Sequence, residues 1–298
     1  MAQKTFTVKM PASEEPVVRG FFETNGFEFG DLAHAFWRAR GPGCNATFYR
    51  SGKLLLQGPE ADMWRGLLGD DSDHAIPYHQ ALAKHPSPPP DVWVGTDEAG
   101  KGDYFGPLVV AGVAMKRSNL ELLQVLGVDD SKALNDAKIP DMARGIEAMC
   151  DYEVLFLSPG KYNELYTRIG NLNRLMAWAH SRVIANLLER SDATYVLVDK
   201  FAHESLVRRA LGDELGHAQL DQRTKAEEDP AVAAASVLAR AAFLRGLNSL
   251  SRRFDIDLRK GAGAPTLASG RRFLETHGRE PLREVAKLHF KTTQQIGA

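Results

Sequence analysis

Cysteine is almost missing from this chain of 298 residues: there are two, Cys44 and Cys150, with no CxxC spacing. A disulfide framework and a thiolate zinc site are excluded as organising features, and a reducing, cytoplasmic setting is expected. An excess of charge of either sign is also missing. The 37 Lys and Arg face 38 Asp and Glu, for a formal net charge of -1. A polyanionic partner would have to be drawn by local patches or bound cations, not by a global field. No uninterrupted apolar run approaches the roughly 20 residues that cross a bilayer. The start, MAQKTFTVKM, lacks the apolar stretch of a secretory signal. The patterns GxxxxGK[ST] and GxGxxG do not occur, so a nucleoside-triphosphate or dinucleotide cradle is not indicated. There are no internal repeats. What remains is 44% hydrophobic and 25% charged residues, the mix of a soluble globular protein with length for one or two domains.

The stretch from Gly69 to Asp91, GDDSDHAIPYHQALAKHPSPPPD, is polar and ends in prolines. It reads as a linker over residues 71–91, with a short helix around Tyr78 to Lys84. Before it, residues 1–70 form a small unit. Val17 to Asn25 has helical spacing closed by Gly26, and Ala61 to Leu68 resumes it. Ala46 to Gln57 is a hairpin, two β-prone runs joined by Arg50-Ser51-Gly52. After the linker, residues 92–298 alternate strand and helix patterns. Trp93–Thr96, Leu108–Met115, Tyr152–Leu157 and Thr194–Val198 are strand-like. Asn171–Leu188 and the alanine-rich Ala231–Leu247 are helical. This order predicts an α/β layered domain with a mixed sheet.

VGTDEAGKGDYFGPLVVAGV, from Val94 to Val113, places Asp97 and Glu98 side by side between a strand and a glycine-rich turn. Adjacent carboxylates repel unless something positive stands beside them. Asp199 directly follows the apolar YVLV, and Glu227 stands in TKAEEDP before the alanine-rich helix. Strand ends and helix starts are where layered α/β folds gather functional groups. Carboxylates meeting there suit Mg²⁺, which takes oxygen ligands and is held by few side chains together with substrate phosphates. Each could equally be a turn former or helix cap. Gly100-Lys101-Gly102 offers close backbone approach and a point charge for phosphate. Asp130-Ser131-Lys132 offers a hydroxyl and an ammonium, or simply a helix cap and a solvated lysine. Ser251 to Ala298 carries ten Lys and Arg against five Asp and Glu, either a solvated helical tail or a basic surface.

TDEAGKGDYFGPLVVAGV resembles the first signature of the type 2 ribonucleases H. VDDSKAL, YVLVDKF and TKAEEDPAVAAASVLAR are similar to further blocks of that family, in the same order. The lysine of Gly100-Lys101-Gly102, the glutamate of Lys225-Ala226-Glu227, YNELYTRIGNLNRLMAWAH and KLHFKTT resemble its ribonuclease HIII branch. The N-terminal unit with FYRSGKLLLQG is similar to the TBP-like substrate-binding domain of that branch.

The resemblance implies a ribonuclease H-like mixed-sheet catalytic domain over 92–298 behind a small α+β TBP-like domain. It implies endonucleolytic cleavage of RNA in RNA/DNA hybrids by a monomer with Mg²⁺ or Mn²⁺, leaving 5′-phosphate and 3′-hydroxyl ends. Asp97, Glu98, Asp199 and Glu227 fall on the catalytic, metal-holding carboxylates. The segment between KAE and AAAS is one residue shorter than the family pattern, which leaves Glu228 as the alternative to Glu227. Gly100, Lys101 and Gly102 fall on the loop that senses 2′-hydroxyl groups, and Ser131 and Lys132 on a phosphate contact. Phe48, Tyr49, Arg50 and Lys53 would offer aromatic and basic contacts to the hybrid. Alternation along a strand requires at least one of Phe48 and Tyr49 to be core. Two other readings stay open: incision at single ribonucleotides in DNA, as by ribonuclease HII, and hybrid binding without catalysis.

Overall fold

The structure is a computed structural model that describes residues 4–68, 82, 84–120 and 136–298. The chain divides into two units, Met1–Ala75 and Ile76–Ala298. The expected linker helix at 78–84 and the expected phosphate contacts Ser131 and Lys132 lie wholly or mostly outside the described residues.

The first unit is one antiparallel sheet backed by two helices. Strands β1 (Lys4–Lys9), β2 (Glu28–Gly30), β3 (Ala35–Gly41), β4 (Cys44–Tyr49) and β5 (Lys53–Gly58) stand in the order β1-β5-β4-β3-β2. Helices α1 (Glu15–Thr24) and α2 (Ala61–Leu67) bury Val18, Phe22, Ala61 and Trp64. Period-two burial explains the sheet's apolar face: Leu54 and Leu56 on β5 are wholly buried, and Leu55 between them is not. The expected hairpin forms, with Tyr49 paired to Lys53.

The second unit is a mixed five-stranded sheet between helical layers. Strands β6 (Val92–Ala99), β7 (Leu108–Lys116), β8 (Asp151–Leu157), β9 (Tyr195–Asp199) and β10 (Gln219–Arg223) stand in the order β10-β9-β6-β7-β8. β6, β7 and β8 pair antiparallel, and β9 and β10 run parallel to β6. Among the described residues its helices are α3 (Ile139–Met149), α4 (Pro159–Ile169), α5 (Leu172–Arg190), α6 (Glu204–Leu211), α7 (Pro230–Phe254), α8 (Ala264–His277) and α9 (Lys291–Gln295). α7 packs on β6 and β7, as does α5. The two helices belong to separate apolar clusters, one with Trp93, Val109 and Val113 and one with Val94, Val110 and Val196. They therefore cover opposite faces of the sheet. Each fully buried Val or Leu contributes about 1.5–3 kcal/mol, so both faces are strongly held.

Gly95 sets the distance between β6 and α7. A Cβ there would stand 2.4 Å from the backbone of Ala231 and Val232. The alanine run Ala233–Ala235 continues this close packing, and all three are buried.

Two expectations need correction. α7 is, by length and composition, long and apolar enough to cross a membrane, contrary to the expectation that no stretch approaches this. It is the core helix: 78% of its apolar window is buried inside the protein. Asp97, Glu98 and Asp199 also do not follow their strands; they are the last part of them. β6 stays paired with β7 as far as Ala99 with Val109, and Asp199 pairs with Arg223 of β10. The apolar pattern ends earlier than the hydrogen-bonded ladder does.

Candidate active site

Neighbouring residues on a strand face opposite sides of the sheet, and this separates Asp97 from Glu98. Asp97 faces α7 and is hydrogen-bonded by the Ser236 hydroxyl. Glu98 faces α5, where its Oε2 lies 3.3 Å from His180 Nε2. Thr96, on the same face as Glu98, bonds His180 Nδ1 at 2.9 Å through its hydroxyl. The imidazole is wholly buried and stacks on Phe201 at 4.8 Å. Lys101 Nζ donates to Glu98 Oε1 at 3.1 Å and lies 5.5 Å from the centre of the Phe201 ring.

The electrostatics follow these neighbours. Burial pushes the Asp97 carboxyl up to about 7, and the negative charges of Glu98 and Asp199 push the same way. Its Oδ1 accepts the Glu98 amide at 2.7 Å, which with Ser236 offsets only part of this. Burial also pushes Glu98 up, but His180 and Lys101 more than compensate and hold it below the usual carboxylate range.

Asp199, at the end of β9, lines the same cavity as Asp97 and Glu98. Its Oδ1 accepts the backbone N–H of Ala226 at 3.1 Å. Ala226 opens the 3₁₀ turn Ala226–Glu228, which carries Glu227. The cavity, about 410 Å³, is also lined by Gly100, Asp103, Ser236, Arg240 and Lys260. Glu227 is not among its walls. Glu228, the alternative, is engaged by Lys84, and Asp229 caps α7 by accepting the amides of Ala231 and Val232. Among the described residues, no group of three or more His, Cys, Asp or Glu side chains is placed to hold a metal ion. The all-oxygen donor set, and the burial and neighbouring negative charge that raise the Asp97 carboxyl to about 7, fit a hard cation bound by few protein ligands.

The glycine loop is fixed by its surroundings. Gly100 has φ +87°, and a Cβ there would meet the Pro107 carbonyl at 2.2 Å. Gly102 has open space around it. Lys287 Nζ donates to the carbonyls of Asp103 and Gly106, both at 2.8 Å, and Asp103 Oδ1 accepts the Gly261 amide at 2.6 Å. Burial lowers the Lys287 ammonium to about 7. Lys287 was counted in the basic C-terminal stretch, yet it belongs to the interior. Arg253 and Lys260 of that stretch are paired with Glu284 and Asp136.

In the first unit, Phe48 is wholly buried and is core, while Tyr49 is half-buried and Lys53 exposed. Arg50 lies over the Phe36 ring at 5.2 Å. Composition and spacing did not single out His180, Ser236, Arg240 or Lys287. Ser236 is the one hydroxyl in an alanine run, a readable signal. The buried His180 and Lys287 have no comparable mark, because their polar partners lie 82 to 184 positions away in sequence.

Comparison with known proteins gives the family. The model of the ribonuclease HII family matches residues 94–293. The ribonuclease HIII of Protochlamydia amoebophila is 40% identical over 275 residues, covering 92% of this chain and 90% of that protein. The ribonuclease HIII of Chlamydia abortus is 38% identical over 294 residues, covering 98% and 97%. Among solved structures, Bst-RNase HIII in complex with Mn2+ superimposes with a TM-score of 0.66 at 31% identity, covering 98% of each chain. The chain belongs to the ribonuclease HII family, as an endoribonuclease whose full-length relatives are ribonucleases HIII.

Proposed function

We propose that the chain hydrolyses the RNA strand of RNA/DNA hybrids, with Mg²⁺ or Mn²⁺ held by Asp97, Glu98, Asp199 and Glu227. The observation that carries this reading is the floor of the cavity. A carboxyl buried there is pushed to about 7 by burial and by two neighbouring carboxylates, a cost that a cation removes. Two such ions would activate the attacking water and offset charge on the leaving oxygen.

The chain's own residues do the rest. Ser236 and the Glu98 amide orient Asp97. His180 and Lys101 keep Glu98 ionised. Gly100 and Gly102 bring backbone up to the RNA strand, where a 2′-hydroxyl distinguishes it from DNA. Ser131 and Lys132 contact backbone phosphate. Tyr49 and Lys53 contact the hybrid from the N-terminal unit. The products carry 5′-phosphate and 3′-hydroxyl ends. We take the chain to act as a monomer, and to act in the cytoplasm, the second reading being supported by its two unpaired, buried cysteines.

The test is cleavage of an end-labelled RNA/DNA hybrid with and without Mg²⁺, beside a DNA duplex holding one ribonucleotide. Metal-dependent cutting of the hybrid, with little at the single ribonucleotide, is expected. Strong cutting at the single ribonucleotide would transfer the chain to the HII-type activity. Binding without cutting would leave a hybrid-binding protein.

A further inference from the structure

The turn that carries Glu227 lies between the end of β9 and the start of α7. It is three residues long, tied at its start to Asp199 through the Ala226 amide, ending in Glu228 and followed by Asp229. Those two acids are gripped by residues about 144 positions earlier. Lys84 Nζ reaches Glu228 Oε2. His85 Nε2 lies 2.6 Å from Asp229 Oδ2, and the other oxygen of Asp229 accepts the Trp93 indole N–H at 3.0 Å. Arg223, at the end of β10, donates to the Lys84 carbonyl at 2.5 Å. The His85 side chain is wholly buried and Asp229 is 4% exposed. The imidazole meets the Trp93 ring nearly at right angles, 5.1 Å between centres, and lies 5.0 Å from Tyr195. Two consecutive residues thus engage two consecutive acids, which directly follow Glu227.

A helix cap alone does not require this. Asp229 already satisfies the first amides of α7, and an exposed asparagine or serine does the same elsewhere in proteins. Burying an imidazole against that cap desolvates both groups. The arrangement gains its value from what it immobilises: groups behind a metal ligand orient it, and their loss costs 10- to 100-fold in metal affinity or activity.

We infer that Lys84 and His85 form a latch that fixes the turn carrying Glu227, so that the segment entering the catalytic unit positions the fourth carboxylate. The inference rests on the reading of Glu227 as a metal ligand. His85 touches no reacting atom and is a positioning residue.

The test uses full-length chain. Mn²⁺ binding to the metal-free protein is followed by electron paramagnetic resonance, and kcat and KM on a hybrid are measured beside it. Glu227→Gln is the reference. His85→Ala is expected to weaken Mn²⁺ binding and lower kcat by about 10- to 100-fold, with KM within about twofold of the parent. His85→Gln retains a donor toward Asp229 and restores part of both. Lys84 is 55% exposed, so Lys84→Met folds, and a shift of a few-fold in the same two quantities is expected. A lower melting temperature in His85→Ala with unchanged Mn²⁺ affinity, kcat and KM would reduce the latch to a structural contact and overturn the proposal. If His85→Ala does not fold, unchanged Mn²⁺ affinity and kcat in both His85→Gln and Lys84→Met overturn it. If Glu227→Gln itself binds Mn²⁺ and cuts normally, the assignment of Glu227 fails and the latch with it. Loss in Glu227→Gln without loss in the His85 variants overturns the latch alone.

Discussion

Asp97 and Glu98 share a strand and a chemistry, and the fold treats them oppositely. Glu98 faces α5, where Lys101 and His180 hold it ionised. Asp97 faces α7, where its partners are a hydroxyl and an amide and its charged neighbours are carboxylates. A pair of adjacent acids is therefore not one feature but two. On the α5 side Glu98 has its cations, whereas the cations on the cavity wall of the α7 side, Arg240 and Lys260, are paired with Asp136. The α7 side is where an added cation gains most.

Removing the charge of Asp97 should show the largest effect. Asp97→Asn is expected to lower hybrid cleavage by at least about 1,000-fold, the size of a lost metal-site ligand. In EDTA at pH 8 the same variant should be more stable than the parent, by about 1–4 kcal/mol in urea unfolding, given 1.36 kcal/mol per pKa unit. A loss of stability would mean that Asp97 is neutralised by a protein group. Glu98→Gln should move stability the other way, losing about 1–3 kcal/mol because His180 and Lys101 lose their anion. Its cleavage should fall by about 100-fold or more; equal signs for the two variants in EDTA would erase the comparison.

The pH profile of the metal-free protein sharpens it further. Asp97 binds its proton more tightly folded than unfolded. Its cost is absent below about pH 4 and complete above about pH 7, so stability falls across that window. Asp97→Asn should remove this descent. Glu98, held low, loses its contribution as the pH drops below the ordinary carboxylate range. Cleavage should also fail in acid, because protons compete with the cation for Asp97. Lys101→Ala is expected to be the mildest change: the side chain is 32% exposed, which limits the stability loss to about 1 kcal/mol, and cleavage should drop only a few-fold. A large loss would give Lys101 a direct role at the RNA strand.

Much of this was legible in the sequence because it is local. The hairpin through Arg50-Ser51-Gly52, the alanine-rich helix and the apolar strand before Asp199 all declare themselves within a dozen residues. Three of the four expected carboxylates carry a comparable mark, and the structure places them on one cavity. Glu227 does not line it, and the choice between Glu227 and Glu228 could not be made from spacing. It is the distant Lys84 that engages Glu228. His180 and Lys287 were invisible for the same reason. A buried polar side chain is identified by its partners, and these come from other elements of the fold. The basic C-terminal stretch misled in part, since charge counting cannot tell that Lys287 is buried beneath the glycine loop.

Gly95 lies two residues before Asp97 and on the same face, against the start of α7. The width of the reaction centre is therefore gauged by a missing methyl group. Any side chain at position 95 would wedge the helix outward and carry Ser236 away from the carboxyl it orients. Because the atoms it would meet are helix backbone, the same clash would loosen the packing of α7 on β6. Such substitutions are expected to lower the melting temperature together with turnover. Position 95 is thus a place where one spacing serves the fold and the chemistry at once.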